Sequence, residues 1–256
     1  MITIKTSEDI QKLREGGKHL FKVLSALREA TQVGVKTADL NTLAEKMVRD
    51  MGDIPSLLNY KPQGAKRPYP ASLCVSVNDE VVHGIPTENN RTLADGDIVG
   101  FDMALTHDGM VVDSAITVPV GKIDVKAKKL LAATEEALYA GIKAARGGMY
   151  IGDIGTAVED VADRNHFSVA DELAGHGVGH KVHEDPFVPN FGMPHQGPLL
   201  RPGMVIAIEP MLNEGLPEIR HGADGYTILT ADGSRSAHFE HTVLITESAP
   251  EILTKA

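Results

Sequence analysis

Apolar residues recur along this chain with two alternating periods. Thr6 and Asp9 stand at the spacing of a capping box, in which a hydroxyl and a carboxylate each satisfy a backbone N–H at a helix start. Ile10, Leu13, Leu20, Leu24 and Leu27 follow at helical spacing. A second helix is predicted from about Thr37, with Leu40, Leu43, Met47 and Met51 on one face and Gly52 as its stop. The period then shortens to two. Leu73 to Val77, Asp97 to Leu105 and Met110 to Val118 read as strands, the last pair joined by a turn through Asp108-Gly109. A long helix from about Val125 to Ala145 ends at Gly147-Gly148, and a shorter one spans about Asp153 to Asn165. Strands return at Met204 to Ile208, Tyr226 to Thr230 and Ala237 to Thr246. Helices, strands, helices, strands is the order of an α+β protein with helices packed on one face of a largely antiparallel sheet.

A weak internal repeat fits that order. Aligned at an offset of 114, residues 34–45 and 148–159 share Gly34/Gly148, Asp39/Asp153, Thr42/Thr156 and Glu45/Glu159. Two capped amphipathic helices also look alike by composition alone. A true repeat would relate the two halves by a pseudo-twofold axis, with a site fed by both between them.

Composition narrows the class. The 256 residues carry 25 Lys+Arg against 35 Asp+Glu, a net charge of −10, which argues against a general affinity for DNA or an anionic membrane. Cys74 is the only cysteine, so neither a disulfide framework nor a Cys-based zinc site is available. With no apolar leader pattern and no stretch of about 18 apolar residues, the chain reads as one domain over residues 1–256 of a soluble protein in a reducing cytoplasm.

The chemistry is carried by carboxylates placed in apolar strands, where a buried charge needs compensation. Asp102 and Asp113 lie on strands that a turn near Asp108 makes neighbours, Glu209 closes one later strand, and Glu240 sits in another. Four such groups side by side raise one another's pKa, and a multivalent cation resolves the conflict. The run Gly175-His-Gly-Val-Gly-His-Lys-Val-His183 offers His176, His180 and His183. Carboxylate oxygens with an imidazole suit Mn, Fe, Co or Zn, and the excess of carboxylates favours two ions with shared ligands, which generate hydroxide at neutral pH.

Five ordered motifs now resemble those of the type I methionine aminopeptidases. They are Ser76-Val-Asn-Asp-Glu-Val-Val-His-Gly-Ile-Pro86, the Asp102/Asp113 pair, Gly175-His-Gly-Val-Gly179 with His183-Glu-Asp-Pro186, Ala207-Ile-Glu-Pro210 and Phe239-Glu-His-Thr242. The likeness runs from the first helix to Thr246. It implies a pita-bread fold, two pseudo-symmetric halves enclosing two divalent metal ions, and removal of the initiator Met from nascent polypeptide N-termini when the second residue is small. By the same likeness Asp102, Asp113, His176, Glu209 and Glu240 are the metal ligands. Asp113 and Glu240 would bridge both ions, Asp102 would complete one, and His176 with Glu209 the other. Glu209 would also take the proton of the attacking water. His83 and His183 would contact the scissile amide and the carbonyl oxygen, and His180 matches no catalytic position. Tyr69, Cys74 and Tyr226 match positions lining the Met pocket. Tyr226 and Val182 stand where bulkier aromatics are common, and the segment 59–68 is longer and more basic than usual. A monomer is implied, with the ribosome as a candidate partner.

Prolidase, aminopeptidase P and creatinase share the implied fold but normally add a domain ahead of it, whereas His83 arrives early here. An Xaa-Pro peptidase is therefore one alternative. A non-catalytic peptide-binding module that has lost its ligands is another, and a purely structural metal protein would have no need of His83 and His183.

Overall fold

The structure is a computed structural model that describes residues 2–62 and 64–255. Gln63, inside the basic 59–68 segment, lies outside the described residues. The first half contains helices α1 (Ser7–Ala30) and α2 (Thr37–Asp50), then strands β1 (Ile54–Pro55), β2 (Cys74–Val77), β3 (Glu80–Val82), β4 (Ile98–His107) and β5 (Met110–Pro119). The second opens with α3 (Val125–Ala144) and α4 (Ile151–Asn165), followed by β6 (Ser168–Val169), β7 (Ala174–Gly177), β8 (Glu184–Pro189) and β9 (Val205–Ile208). It closes with β10 (Met211–Asn213), β11 (Ile219–His221), β12 (Ile228–Thr230), β13 (Ser236–His238), β14 (Glu240–Leu244) and β15 (Glu251–Ile252).

Local chemistry explains the helix ends. The Thr6 hydroxyl accepts the Asp9 N–H while the Asp9 carboxylate accepts the Thr6 N–H, so the capping box forms and α1 begins where the sequence places it. Its Leu13, Leu20, Val23, Leu24 and Leu27 are buried, each contributing roughly 1.5 to 3 kcal/mol relative to exposure. They pack on the side of β4 and β5 that carries Leu105 and Val112, and Gly16 lets α1 close to van der Waals contact there.

The repeat is structural. Gly34 and Gly148 both adopt positive φ, +93° and +86°, before α2 and α4. The aligned N-cap residues Lys36 and Tyr150 each make an antiparallel bridge, to Thr92 and Leu199. The two halves present helices to one face of a shared sheet, as the pita-bread fold requires.

That sheet has nine strands, and its path β1-β4-β5-β14-β9-β7-β8 is antiparallel at every pairing. The strand expected over Ala237 to Thr246 is interrupted at Phe239, with β13 on β10 in a three-stranded sheet and β14 between β5 and β9. Its neighbour switches sheets in step, because Pro210 has no N–H to continue the ladder between β9 and β10. Strand β7, Ala-Gly-His-Gly, has no strand-forming composition. It forms because β8 and β9 flank it closely: a Cβ on Gly175 would stand 2.3 Å from the carbonyl oxygen of Ala207, and one on Gly177 would stand 2.1 Å from that of Asp185. No helix of the described residues is long and apolar enough to cross a membrane.

Candidate active site

Strand alternation assembles the acidic residues on the sheet face opposite α1. Asp102 pairs with Ala115 and Ala115 with Glu240, giving one row across β4, β5 and β14. In the next row Ala104 pairs with Asp113, and Thr242 pairs with Ala207, which in turn pairs with His176. Side chains two apart on a strand share a face, so Asp102, Asp113, Glu240 and His176 all project into one space. Glu209, one residue beyond β9 and in phase with Ala207, joins them, its Oε1 3.4 Å from Nε2 of His176. Asp113 and Glu240 are 5% and 2% exposed, while Asp102 and Glu209 are half-buried at the floor of an open cleft.

Electrostatics demand a cation here. Burial pushes Asp102 up to about 6 and Asp113, Glu209 and Glu240 far above the usual carboxylate range, with the neighbouring carboxylates adding to the rise in the last three. Asp113 Oδ1 is buried without a hydrogen-bond partner among the described residues. One ligand atom each from Asp113, His176 and Glu240 lie within 4.8 Å of one another. Nδ1 of His176 is 3.0 Å from the carbonyl oxygen of Gly177, which can only accept, so Nδ1 carries the proton and Nε2 offers its lone pair. Burial, with His183 nearby, lowers this imidazole to about 3, so it is neutral and fit to ligate. Oxygen-rich donors with one imidazole fit divalent Mn, Fe, Co or Zn.

Around this floor stand further histidines and aromatic residues. His83 sits at φ 60°, a left-handed conformation costly for a non-glycine residue, fixed by the turn after β3 and by Gly84, whose carbonyl accepts the Val75 N–H and the Tyr69 hydroxyl. Burial lowers its imidazole to about 4. The His183 ring lies edge-on to that of His176, centroids 4.4 Å apart, and its Nδ1 is 2.9 Å from Tyr60 Oη. The His183 loop is anchored by Glu184, which accepts the Lys181 N–H and pairs with the buried Lys5 at 2.7 Å. Tyr69, Cys74 and Tyr226 line the cleft with Leu57, Tyr60 and Val182. The 59–68 segment thus supplies part of the wall, tied down by Arg67 to Glu88 and by the Tyr226 hydroxyl to the Arg67 carbonyl at 2.5 Å. His180 is exposed and away from the cleft lining.

Three neighbours went unnoticed in the sequence. Tyr60 belongs to an irregular segment. Thr242 supports Asp113, and His238 is buried with Nε2 3.6 Å from Glu209 Oε2. Only the polar residues of the Phe239-Glu-His-Thr242 strand and its flank gave any signal for the last two.

A cleft floored by buried carboxylates and one neutral imidazole, on a duplicated α+β scaffold, defines a metal-dependent hydrolase. The pattern of Metallopeptidase family M24 matches residues 11–247, and the chain belongs to that family. It is 45% identical to a methionine aminopeptidase of Aquifex aeolicus, over 99% of each chain, and 42% identical to methionine aminopeptidase 1 of Bacillus subtilis, over all of both. The crystal structure of the Thermotoga maritima methionine aminopeptidase superposes with a TM-score of 0.95 at 39% identity, covering both chains completely. The Pyrococcus horikoshii prolidase shares the fold at a TM-score of 0.75 and 21% identity, with this chain covering 63% of it.

Proposed function

We propose that this protein is an aminopeptidase that removes the initiator methionine from nascent polypeptides whose second residue is small. The observation that carries the reading is the convergence of Asp102, Asp113, His176, Glu209 and Glu240 on one sheet face, in a chain alike from end to end to methionine aminopeptidases. These five side chains would hold two divalent ions. Bound there, the ions supply a nucleophilic water at neutral pH and polarise the scissile carbonyl.

The chain's own residues do the rest. Glu209, as its carboxylate, would accept the proton of the attacking water, the burial that raises its proton affinity making it the stronger base. His83 and His183 stand at the cleft to donate hydrogen bonds to the scissile amide and to the carbonyl oxygen as charge develops on it. Tyr69, Cys74 and Tyr226, with Tyr60, Leu57 and Val182, enclose the methionine side chain. The reading places the protein in the cytoplasm, acting as a monomer on chains emerging from the ribosome.

Hydrolysis of Met-Ala-Ser against an Xaa-Pro peptide, with metal added back after chelation, tests it. Metal-dependent release of Met is expected. Preference for the Xaa-Pro peptide would move the assignment to the prolidase side of the family.

A further inference from the structure

Behind the central sheet, on the α1 side, three side chains far apart in sequence converge. His19 comes from α1, Asp53 from the connection between α2 and β1, and His107 from the last position of β4. Nδ1 of His19 lies 2.7 Å from Asp53 Oδ2, and Nδ1 of His107 lies 2.7 Å from Asp53 Oδ1. The two rings meet edge to face with centroids 5.2 Å apart. Asp53 is 6% exposed, whereas both imidazoles keep an edge at the surface. One turn before His19, Glu15 brings Oε1 to 3.8 Å from the other ring nitrogen, Nε2.

We propose that His19, Asp53 and His107 form a second, separate metal site that takes a single ion of the zinc class. The donor set is two imidazoles and one carboxylate, a combination that binds borderline divalent ions. One ligand atom from each of the three residues lies within 4.8 Å of the others, and a tetrahedral ion with bonds of about 2.0 to 2.1 Å needs its ligand atoms roughly 3.3 Å apart. Each ring nitrogen now holds a different oxygen of Asp53 at 2.7 Å, so an ion between the rings needs those contacts to open by about 0.6 Å, with Asp53 ligating through one oxygen or both. Each neutral imidazole then turns its Nδ1 lone pair to the ion and carries its proton on Nε2. For His19 that proton points toward Glu15, a carboxylate placed to hold the ring in the ligating tautomer. The site is independent of the cleft: His107 lies five positions along β4 from Asp102, about 17 Å of strand, and on the opposite face. An ion there ties α1, the end of α2 and the end of β4 together, so it stabilises the folded chain by mass action.

The test uses the full chain stripped of metal, as wild type and as His107→Gln, which keeps a donor for Asp53 and so preserves the fold. Zn²⁺ titration with metal analysis after gel filtration is expected to show one equivalent fewer in His107→Gln, with peptidase activity retained. Zinc-edge anomalous scattering from soaked wild-type crystals is expected to show a peak between His19 and His107. A smaller Zn²⁺-induced rise in Tm for the variant would accompany these. Equal stoichiometry in the two proteins, or no peak at these residues, would overturn the site and leave a hydrogen-bonded staple only.

Discussion

The hydroxyl of Thr242 stands in for a backbone rung beside Asp113: Oγ1 accepts the Asp113 N–H at 2.9 Å and donates to the Asp113 carbonyl at 2.7 Å. Both groups are buried where β5 and β14 have ceased direct pairing, at the level of the Asp113 carboxylate in the acidic floor. Thr242→Val keeps the shape and removes both partners. It should cost about 2 to 4 kcal/mol, the penalty for two stranded backbone groups, and weaken metal affinity. Urea unfolding with metal titration measures both.

His83→Ala and His183→Ala should lower kcat by about 10² to 10³-fold while metal content stays near that of the wild type, because neither side chain belongs to the acidic floor. Metal analysis on the purified variants separates this from a ligand role. Loss of an ion from either would reassign it.

Tyr60→Phe removes the hydroxyl 2.9 Å from His183 Nδ1 and little volume. Losing one orienting hydrogen bond should reduce kcat by about tenfold with KM nearly unchanged. Tyr60→Ala, which also opens the cleft wall, should raise KM. Equal effects of the two variants on KM would contradict the division.

In metal-free protein, folding raises Asp102 to about 6, mainly by burial, from roughly 4 in an unfolded chain. A carboxyl raised by folding stabilises the native state fully below pH 4, and that contribution is lost as pH rises through 6. Buried His83, His176 and His238 shift the opposite way in both proteins, so the comparison with Asp102→Asn reports Asp102 together with the rise it imposes on Asp113, Glu209 and Glu240. The Tm of wild type relative to Asp102→Asn should fall between pH 4 and pH 7 without metal, and the fall should shrink when divalent ions are present. A relative Tm that rises across that window would refute it.

Elements whose signals are local were legible in the sequence. The Thr6 capping box and the leucine spacing fixed α1, and Asp108-Gly109, both at positive φ, joined β4 to β5 where expected. Strand β7 was not legible, because glycines become strand only when β8 and β9 approach them. Nor was the break at Phe239, since which sheet receives each half depends on partners about 25 residues upstream for one and 125 for the other. At the site, carboxylates in apolar strands betrayed themselves by the cost of burying them. Tyr60 and Thr242 did not, because an ordinary tyrosine and threonine acquire their roles only from His183, 123 positions away, and from Asp113, 129 positions away. His19, Asp53 and His107 were invisible for the same reason.

The most direct measurement is an anomalous difference map from crystals of wild type and Glu240→Gln soaked in Mn²⁺ or Co²⁺. Two peaks are expected among Asp102, Asp113, His176, Glu209 and Glu240 in the wild type, with Asp113 and Glu240 each contacting both, and neither peak at full occupancy in Glu240→Gln. A single ion at saturation, or peaks ligated by His83 or His183 in place of these five, would contradict the proposed centre.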